Sequence, residues 1–293
     1  MSEYRTPLSD VLVEHGALPR LSIDHPLAKA ELFLQGGHLT RWKPEGEPAV
    51  IFVSPKAIFA PGTAIRGGVP VCFPWFGFGA TGDRKPQHGF ARTTPWTLVG
   101  HECTDAGVKL RLRLESDEKT RAHWPHDFVA ELAFDIARTL TMTLTVKNTG
   151  TTPATFEEAL HTYFSVSDVR HVGVRGVSGG AYIDKPDGFK RKTESEPAVR
   201  FTGEVDRVYM NTTAACVIDD PGEKRRIVVE KEGSNDTVVW NPGPVVAEKI
   251  KDLGAANFAP FVCVEAVNAG DNAVTLQPGA SHTMTCRVRV ERD

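Results

Sequence analysis

The 293-residue sequence has no long apolar run, no large surplus of either charge and no closely spaced cysteines. A membrane-spanning helix needs about 18 uninterrupted apolar residues, and even the stretch Val69 to Phe78 is short and broken by prolines and glycines. Lys+Arg number 34 against 37 Asp+Glu, a formal net charge of -3, which excludes the broad basic field of a general nucleic-acid binder. No nucleic-acid or membrane partner is expected, and the chain is expected to act as a monomer. Walker loops, H-E-x-x-H and G-x-S-x-G elbows are missing, so several kinase and hydrolase readings have no foothold.

The opening MSEYRTPLSD is polar where a secretory signal would be basic and then apolar. Cys72, Cys103, Cys216, Cys263 and Cys286 are odd in number and form no C-x-x-C pair. Reduced, buried thiols and a cytoplasmic location are expected. The sequons at Asn211 and Asn235 are then chance matches. His123 and His126, in H-W-P-H, have no carboxylate or thiol cluster around them in sequence, and no metal is expected there.

What the sequence does contain is a series of short alternating runs rich in Val, Ile, Thr, Phe and Leu, separated by Gly, Pro, Asn and Asp. Strands are expected at 31–34, 38–42, 50–53, 96–103, 108–115, 128–135, 140–148 and 154–166. Further strands are expected at 215–218, 227–232, 237–240, 261–268 and 282–290. From Arg138 to Val146 the sequence R-T-L-T-M-T-L-T-V turns Thr outward and Leu, Met or Val inward. Helical signals are confined to 117–123 and 245–253, too short to cover a sheet. The expected fold is therefore all-β, a large antiparallel β-sandwich whose sheets cover one another, in a single domain over 1–293.

Gly and Pro are densest between Pro61 and Pro95, a stretch that also carries Phe73, Trp75, Phe76, Phe78 and Phe90. This reads as a structured, functional loop system. Within it Gly77 to Gly82 matches G-x-G-x-x-G by letters, but Asp83-Arg84-Lys85-Pro86 follows where a dinucleotide fingerprint would open a helix. Trp75, Phe76 and Phe90 fit a core better than a sugar platform.

Four segments set one polar group in an apolar or Gly-rich frame: Ile65 to Pro70, Gln87 to Arg92, Glu158 to Phe164, and Val262 to Asn268. His161 and Glu265 lie inside strand patterns, so each is either solvated on an outer face or buried with partners. The arginines are open to two readings as well, as solvated loop cations or as anion ligands.

Taken in order, these segments resemble the aldose 1-epimerase (mutarotase) superfamily, and within it the hexose-6-phosphate branch, the glucose-6-phosphate 1-epimerases. The resemblance runs from Gln35-Gly36-Gly37-His38 and Trp42-Lys43-Pro44 through I-R-G-G-V-P, F-P-W-F-G, Q-H-G-F-A-R and A-L-H-T-Y-F. It continues through Asp206-Arg207-Val208-Tyr209, Val239-Trp240-Asn241-Pro242 and V-E-A-V-N to Leu276-Gln277-Pro278-Gly279.

The resemblance implies a galactose-mutarotase-like sandwich with a sugar on its concave face, His161 as acid and Glu265 as base. It implies Arg66, His88 and Arg92 as substrate ligands, the arginines near a phosphate, with Asp206 as a further sugar contact. Lys85 is a weaker candidate, in a stretch without a firm anchor. The implied substrate is a phosphorylated hexose, D-glucose 6-phosphate, and the implied reaction is anomer exchange. Ring opening needs one acid and one base, so neither cofactor nor metal is called for. Glutamate and imidazolium are the expected starting charges, provided burial does not invert them. Two alternatives stay open: a mutarotase for an unphosphorylated aldose, and a non-catalytic carbohydrate-binding protein on the same fold.

Overall fold

The computed structural model describes the backbone of residues 12–15 and residues 18–292. The polar N-terminal segment read for export signals lies outside the described residues. Among the described residues all named strand pairings are antiparallel, and the strands form two eight-stranded sheets, one four-stranded sheet and one two-stranded ribbon.

The first large sheet runs in the order Gly173–Arg175, Cys216–Asp220, Arg225–Glu232, Ser281–Arg292, Leu140–Asn148, Phe128–Ile136, Gly107–Glu115 and Thr97–Thr104. Leu140–Asn148 alternates as the sequence predicts: Leu140, Met142, Leu144 and Val146 are buried while Thr141, Thr143 and Thr145 are half-exposed. On the outer face Thr143 and Thr145 meet Thr285 and Thr283 hydroxyl to hydroxyl at 3.2 and 3.0 Å.

The second large sheet runs Lys190–Thr193, Ala181–Asp184, Val205–Tyr209, Asp236–Asn241, Phe261–Asn268, Glu158–Leu160 and Val71–Cys72, with Tyr163–Ser165 also on Phe261–Asn268. One hydrophobic cluster joins the sheets, packing Val262, Val264 and Ala266 of the second with Leu132, Leu144 and Met284 of the first. Each fully buried Val, Leu or Met among them contributes about 1.5–3 kcal/mol. The sheets therefore cover one another, as a sandwich requires.

Several expectations need correcting in detail. The expected strand over 154–166 is three strands, Ala154–Phe156, Glu158–Leu160 and Tyr163–Ser165. It breaks at Glu157, whose buried carboxylate accepts the backbone N–H groups of Phe76 and Gly270, each at 2.9 Å. It breaks again at His161, whose N–H goes to Pro70 O. Residues 50–53 make only isolated bridges, Ile51 to Phe164 and Val53 to Gly67. Residues 181–193, where no strand is expected, form a hairpin: Ala181–Asp184 pairs with Lys190–Thr193 around a turn over 185–189.

The first helix is Glu118–His123, with Asp117 as its N-cap accepting from Thr120 N at 2.7 Å. The second is Gly243–Lys249, which begins and ends earlier than expected and leaves Asp252 in the turn beyond it. No helix among the described residues is long and apolar enough to cross a membrane. All five cysteines are free; four are buried and Cys103 is only partly so.

Candidate active site

Strand Phe261–Asn268 is buried along its whole length of eight residues, on both faces. Val262, Val264 and Ala266 enter the core between the sheets. Phe261, Cys263, Glu265 and Val267 take the opposite face. There Glu265, at 1% exposure, is the one carboxylate among apolar neighbours.

His161 reaches the same place from the adjoining chain. Leu160 pairs with Ala266 and Tyr163 with Cys263, so the register continues across the gap and sets His161 opposite Glu265. His161 Nδ1 lies 3.2 Å from Glu265 Oε1. The geometry is not that of a hydrogen bond, and both His161 Nδ1 and Glu265 Oε2 are buried without a hydrogen-bond partner. An orphaned nitrogen and an orphaned carboxylate oxygen side by side cost stability, and they are available to a third group.

Packing fixes the imidazole. The Tyr163 ring stacks on it with centroids 4.9 Å apart at 11°, and Trp240 meets it edge-on at 5.7 Å. The Tyr163 hydroxyl accepts a hydrogen bond from Arg66 Nη1 at 3.3 Å, while Arg66 Nε donates to Asp252 Oδ1 at 3.1 Å. Arg66 is thus one tyrosine away from His161.

The Gly-rich loops aim the cations. Gly67 has φ +102, and a Cβ there would sit 2.5 Å from Phe52 O, so only glycine lets the R-G-G turn lie against the neighbouring segment. Buried His38 holds the same turn: burial pushes its pKa down to about 4, and the neutral ring's Nε2–H donates to Gly67 O at 2.8 Å. Gly89 is equally constrained, with φ +74 and a hypothetical Cβ 2.0 Å from Phe73 O. Beside it His88, at φ 65, accepts the Gly77 N–H on Nδ1 at 3.1 Å. Burial drives the His88 pKa well down, so the neutral ring carries its proton on Nε2.

Arg92 donates from Nη2 to Gln87 O at 2.7 Å, its Nε is buried without a partner, and among the described residues it has no ion pair. Burial lowers its pKa from the ordinary arginine value.

These side chains share a cavity of about 620 Å³. Its walls include Arg66, His88, Arg92, His161, Asp206 and Glu265, six of the seven candidates named from sequence. Lys85, the seventh, is exposed on the loop outside. The lysine in the wall is Lys185, whose Nζ lies 3.0 Å from Asp206 Oδ1 and 5.2 Å from the centre of the Phe76 ring. Trp75 and Phe90 are core, whereas Phe76 lines the cavity. The Gly77 to Gly82 stretch forms turns on the cavity wall and opens no helix. Sequence reasoning also passed over Asp252 and Tyr163. Tyr163 sits within A-L-H-T-Y-F two residues from His161, which places it on the same face.

Burial acts on both members of the His161 and Glu265 pair against charge. It drives His161 well below the usual histidine value, with Arg92, Arg66 and Lys185 pushing the same way. It drives Glu265 well above the usual carboxylate value, partly offset by Lys185. The expected starting charges are therefore inverted: a neutral imidazole beside a protonated carboxyl is favoured. The two descriptions hold the same single proton and differ only in which partner carries it.

A family model described as aldose 1-epimerase matches residues 19–289. The chain belongs to the aldose 1-epimerase family. Among its relatives are two proteins named "putative glucose-6-phosphate 1-epimerase". The Salmonella typhimurium one is 40% identical over 252 residues, covering 86% of this chain and 84% of the relative. The Escherichia coli K12 one is 38% identical over 265 residues, covering 90% and 88%. The solved structure of a Salmonella typhimurium protein described as a "putative mutarotase" superimposes with TM-score 0.91 at 36% identity, covering 98% of this chain and 96% of that one. A galactose mutarotase-like protein from Lactobacillus casei, 15% identical with TM-score 0.74, shares the fold. As an aldose 1-epimerase the protein is an isomerase, and its reaction is the exchange of sugar anomers.

Proposed function

We propose that this aldose 1-epimerase acts on a hexose 6-phosphate, D-glucose 6-phosphate first, with Glu265 and His161 as the acid–base pair. The carrying observation is Arg92, a partly buried cation that makes no ion pair among the described residues and lines the wall that also holds Arg66 and the dyad. Two guanidinium groups on Gly-rich turns suit a phosphate dianion, which they bind through paired, charge-assisted hydrogen bonds. The names of the relatives point the same way.

Substrate chemistry then assigns the roles. In the pyranose, C6 is attached to C5, and C5 is bonded to the ring oxygen, so the phosphate and the ring oxygen occupy one edge of the sugar. The group that protonates the ring oxygen must stand near the phosphate ligands. His161 meets that condition through the contact chain Arg66, Tyr163, His161. Glu265 is left to take the proton of the C1 hydroxyl. The ring opens to the aldehyde, the C1–C2 bond rotates, and reclosure with the roles exchanged gives the other anomer.

The phosphate also sets the proton. Arg66 and Arg92 hold the His161 pKa down, and a dianion bound between them offsets that field. Substrate thus moves the shared proton toward His161 and leaves Glu265 as the base, the charge state the chemistry uses. Asp206, held by Lys185, and neutral His88, with its Nε2–H, would bind sugar hydroxyls.

The test is NMR exchange spectroscopy on equilibrated glucose 6-phosphate and, separately, on glucose. Strong acceleration for the ester and little for glucose is the expected result. Equal acceleration of both sugars would overturn the phosphate reading and leave a mutarotase for free aldoses.

A further inference from the structure

Cys263 and Glu265 are two residues apart on one strand and leave it on the same face, and the register sets His161 opposite Glu265. One ligand atom from each of His161, Cys263 and Glu265 lies within 4.8 Å of the other two, and all three residues are buried. Zinc bonds are about 2.3 Å to thiolate, 2.0–2.1 Å to imidazole nitrogen and 2.0–2.2 Å to carboxylate oxygen. A cation centred among three atoms this close needs side-chain shifts of only a few tenths of an ångström to reach those lengths. Two of the donors, His161 Nδ1 and a Glu265 oxygen, have no hydrogen bond to give up.

We propose that His161, Cys263 and Glu265 bind one zinc ion, with its fourth position open to the cavity, and that the bound ion blocks catalysis. The donor set of one sulfur, one nitrogen and one oxygen selects a borderline-soft cation over magnesium or calcium. Thiolate and carboxylate together neutralise the ion's two charges, which offsets the opposing field of Arg66, Arg92 and Lys185 in the same cavity. Binding releases two protons to solvent, one from the Cys263 thiol and the one shared by His161 and Glu265; no electron moves. Only the inhibitory consequence rests on the acid–base reading above, since the ion occupies the atoms that would carry the proton.

Cobalt(II) reports the site directly. Full-length protein stripped with a chelator is titrated with Co²⁺ alone and then with Zn²⁺. One Co²⁺ per chain is expected, with thiolate-to-metal charge-transfer absorption that one equivalent of Zn²⁺ removes. Cys263→Ser should lose that absorption completely, whereas Cys72→Ser, which alters a neighbouring buried thiol, should keep it. Failure of the wild-type protein to bind Co²⁺ stoichiometrically, or survival of the charge-transfer band in folded Cys263→Ser, would overturn the site. The titration contains no sugar, so its outcome is independent of whether the phosphate ester is the substrate.

Discussion

Strands Leu140–Asn148 and Phe261–Asn268 have similar lengths and both sit within eight-stranded sheets, yet they differ in what lies on their second face. The first turns threonines to the outside and alternates without interruption. The second is buried on both sides and places a carboxylate in its covered second face, opposite a histidine with which it makes no hydrogen bond. Regular alternation minimises polar burial and stabilises the sandwich. The doubly buried strand carries an orphaned carboxylate oxygen beside the orphaned His161 nitrogen, and both destabilise the fold unless chemistry gives them a use. In the proposed function, one sheet of the sandwich thus supports and the other acts.

Substitutions should separate the two sheets. Glu265→Gln and His161→Asn should each lower kcat for anomer exchange by about 10²–10⁴-fold, the usual worth of a positioned acid or base, while the circular dichroism spectrum stays unchanged. Leu144→Ala on the supporting strand should do the reverse. It should cost about 2–5 kcal/mol in denaturant unfolding, with the turnover of the folded fraction intact. Arg92→Met should lower kcat/KM for glucose 6-phosphate by about 10- to 100-fold, the loss of a charged hydrogen bond worth about 1.5–3 kcal/mol, and leave free glucose unaffected.

The pH profile sharpens the same contrast. Acid activity is lost only when a second proton enters the pair at His161, whose pKa lies well below the ordinary histidine value. Alkaline activity is lost when the pair gives up its one proton at Glu265, whose pKa lies well above the ordinary carboxylate value. A plateau in kcat/KM across neutrality is expected, with limbs belonging to the pair. Tyr163→Phe keeps the stack on His161 but removes the link to Arg66, and should cost about 0.5–1.5 kcal/mol in catalysis, felt with the ester rather than with glucose. Thr145→Ala, which removes only an outer hydroxyl contact, should change stability by less than about 0.5 kcal/mol.

The same comparison explains what the sequence could disclose. Leu140–Asn148 is legible to the residue because a long ladder with one apolar face leaves a period-two pattern, and Phe261–Asn268 because a strand buried on both faces leaves a short, nearly continuous apolar run. The gap at His161 was not, because neighbouring apolar residues continue the pattern through a break made by tertiary hydrogen bonds. The hairpin over 181–193 escaped notice because Lys190–Thr193 is an exposed, cationic edge strand with no apolar face, and Lys185 at its turn escaped with it. Asp252 had no local signal at all: it follows a short helix and gains meaning only by meeting Arg66, 186 positions earlier in the chain. The inverted charges of the pair depend on burial, which no motif displays.

The central claim is that the buried pair, positioned beside a phosphate-binding wall, exchanges the anomers. Its most direct test is α-to-β exchange of glucose 6-phosphate measured by NMR with wild-type protein and with Glu265→Gln at equal concentration. Rapid exchange with the first and a loss of at least about 10²-fold with the second is the predicted result. Exchange by folded Glu265→Gln at the wild-type rate would contradict it.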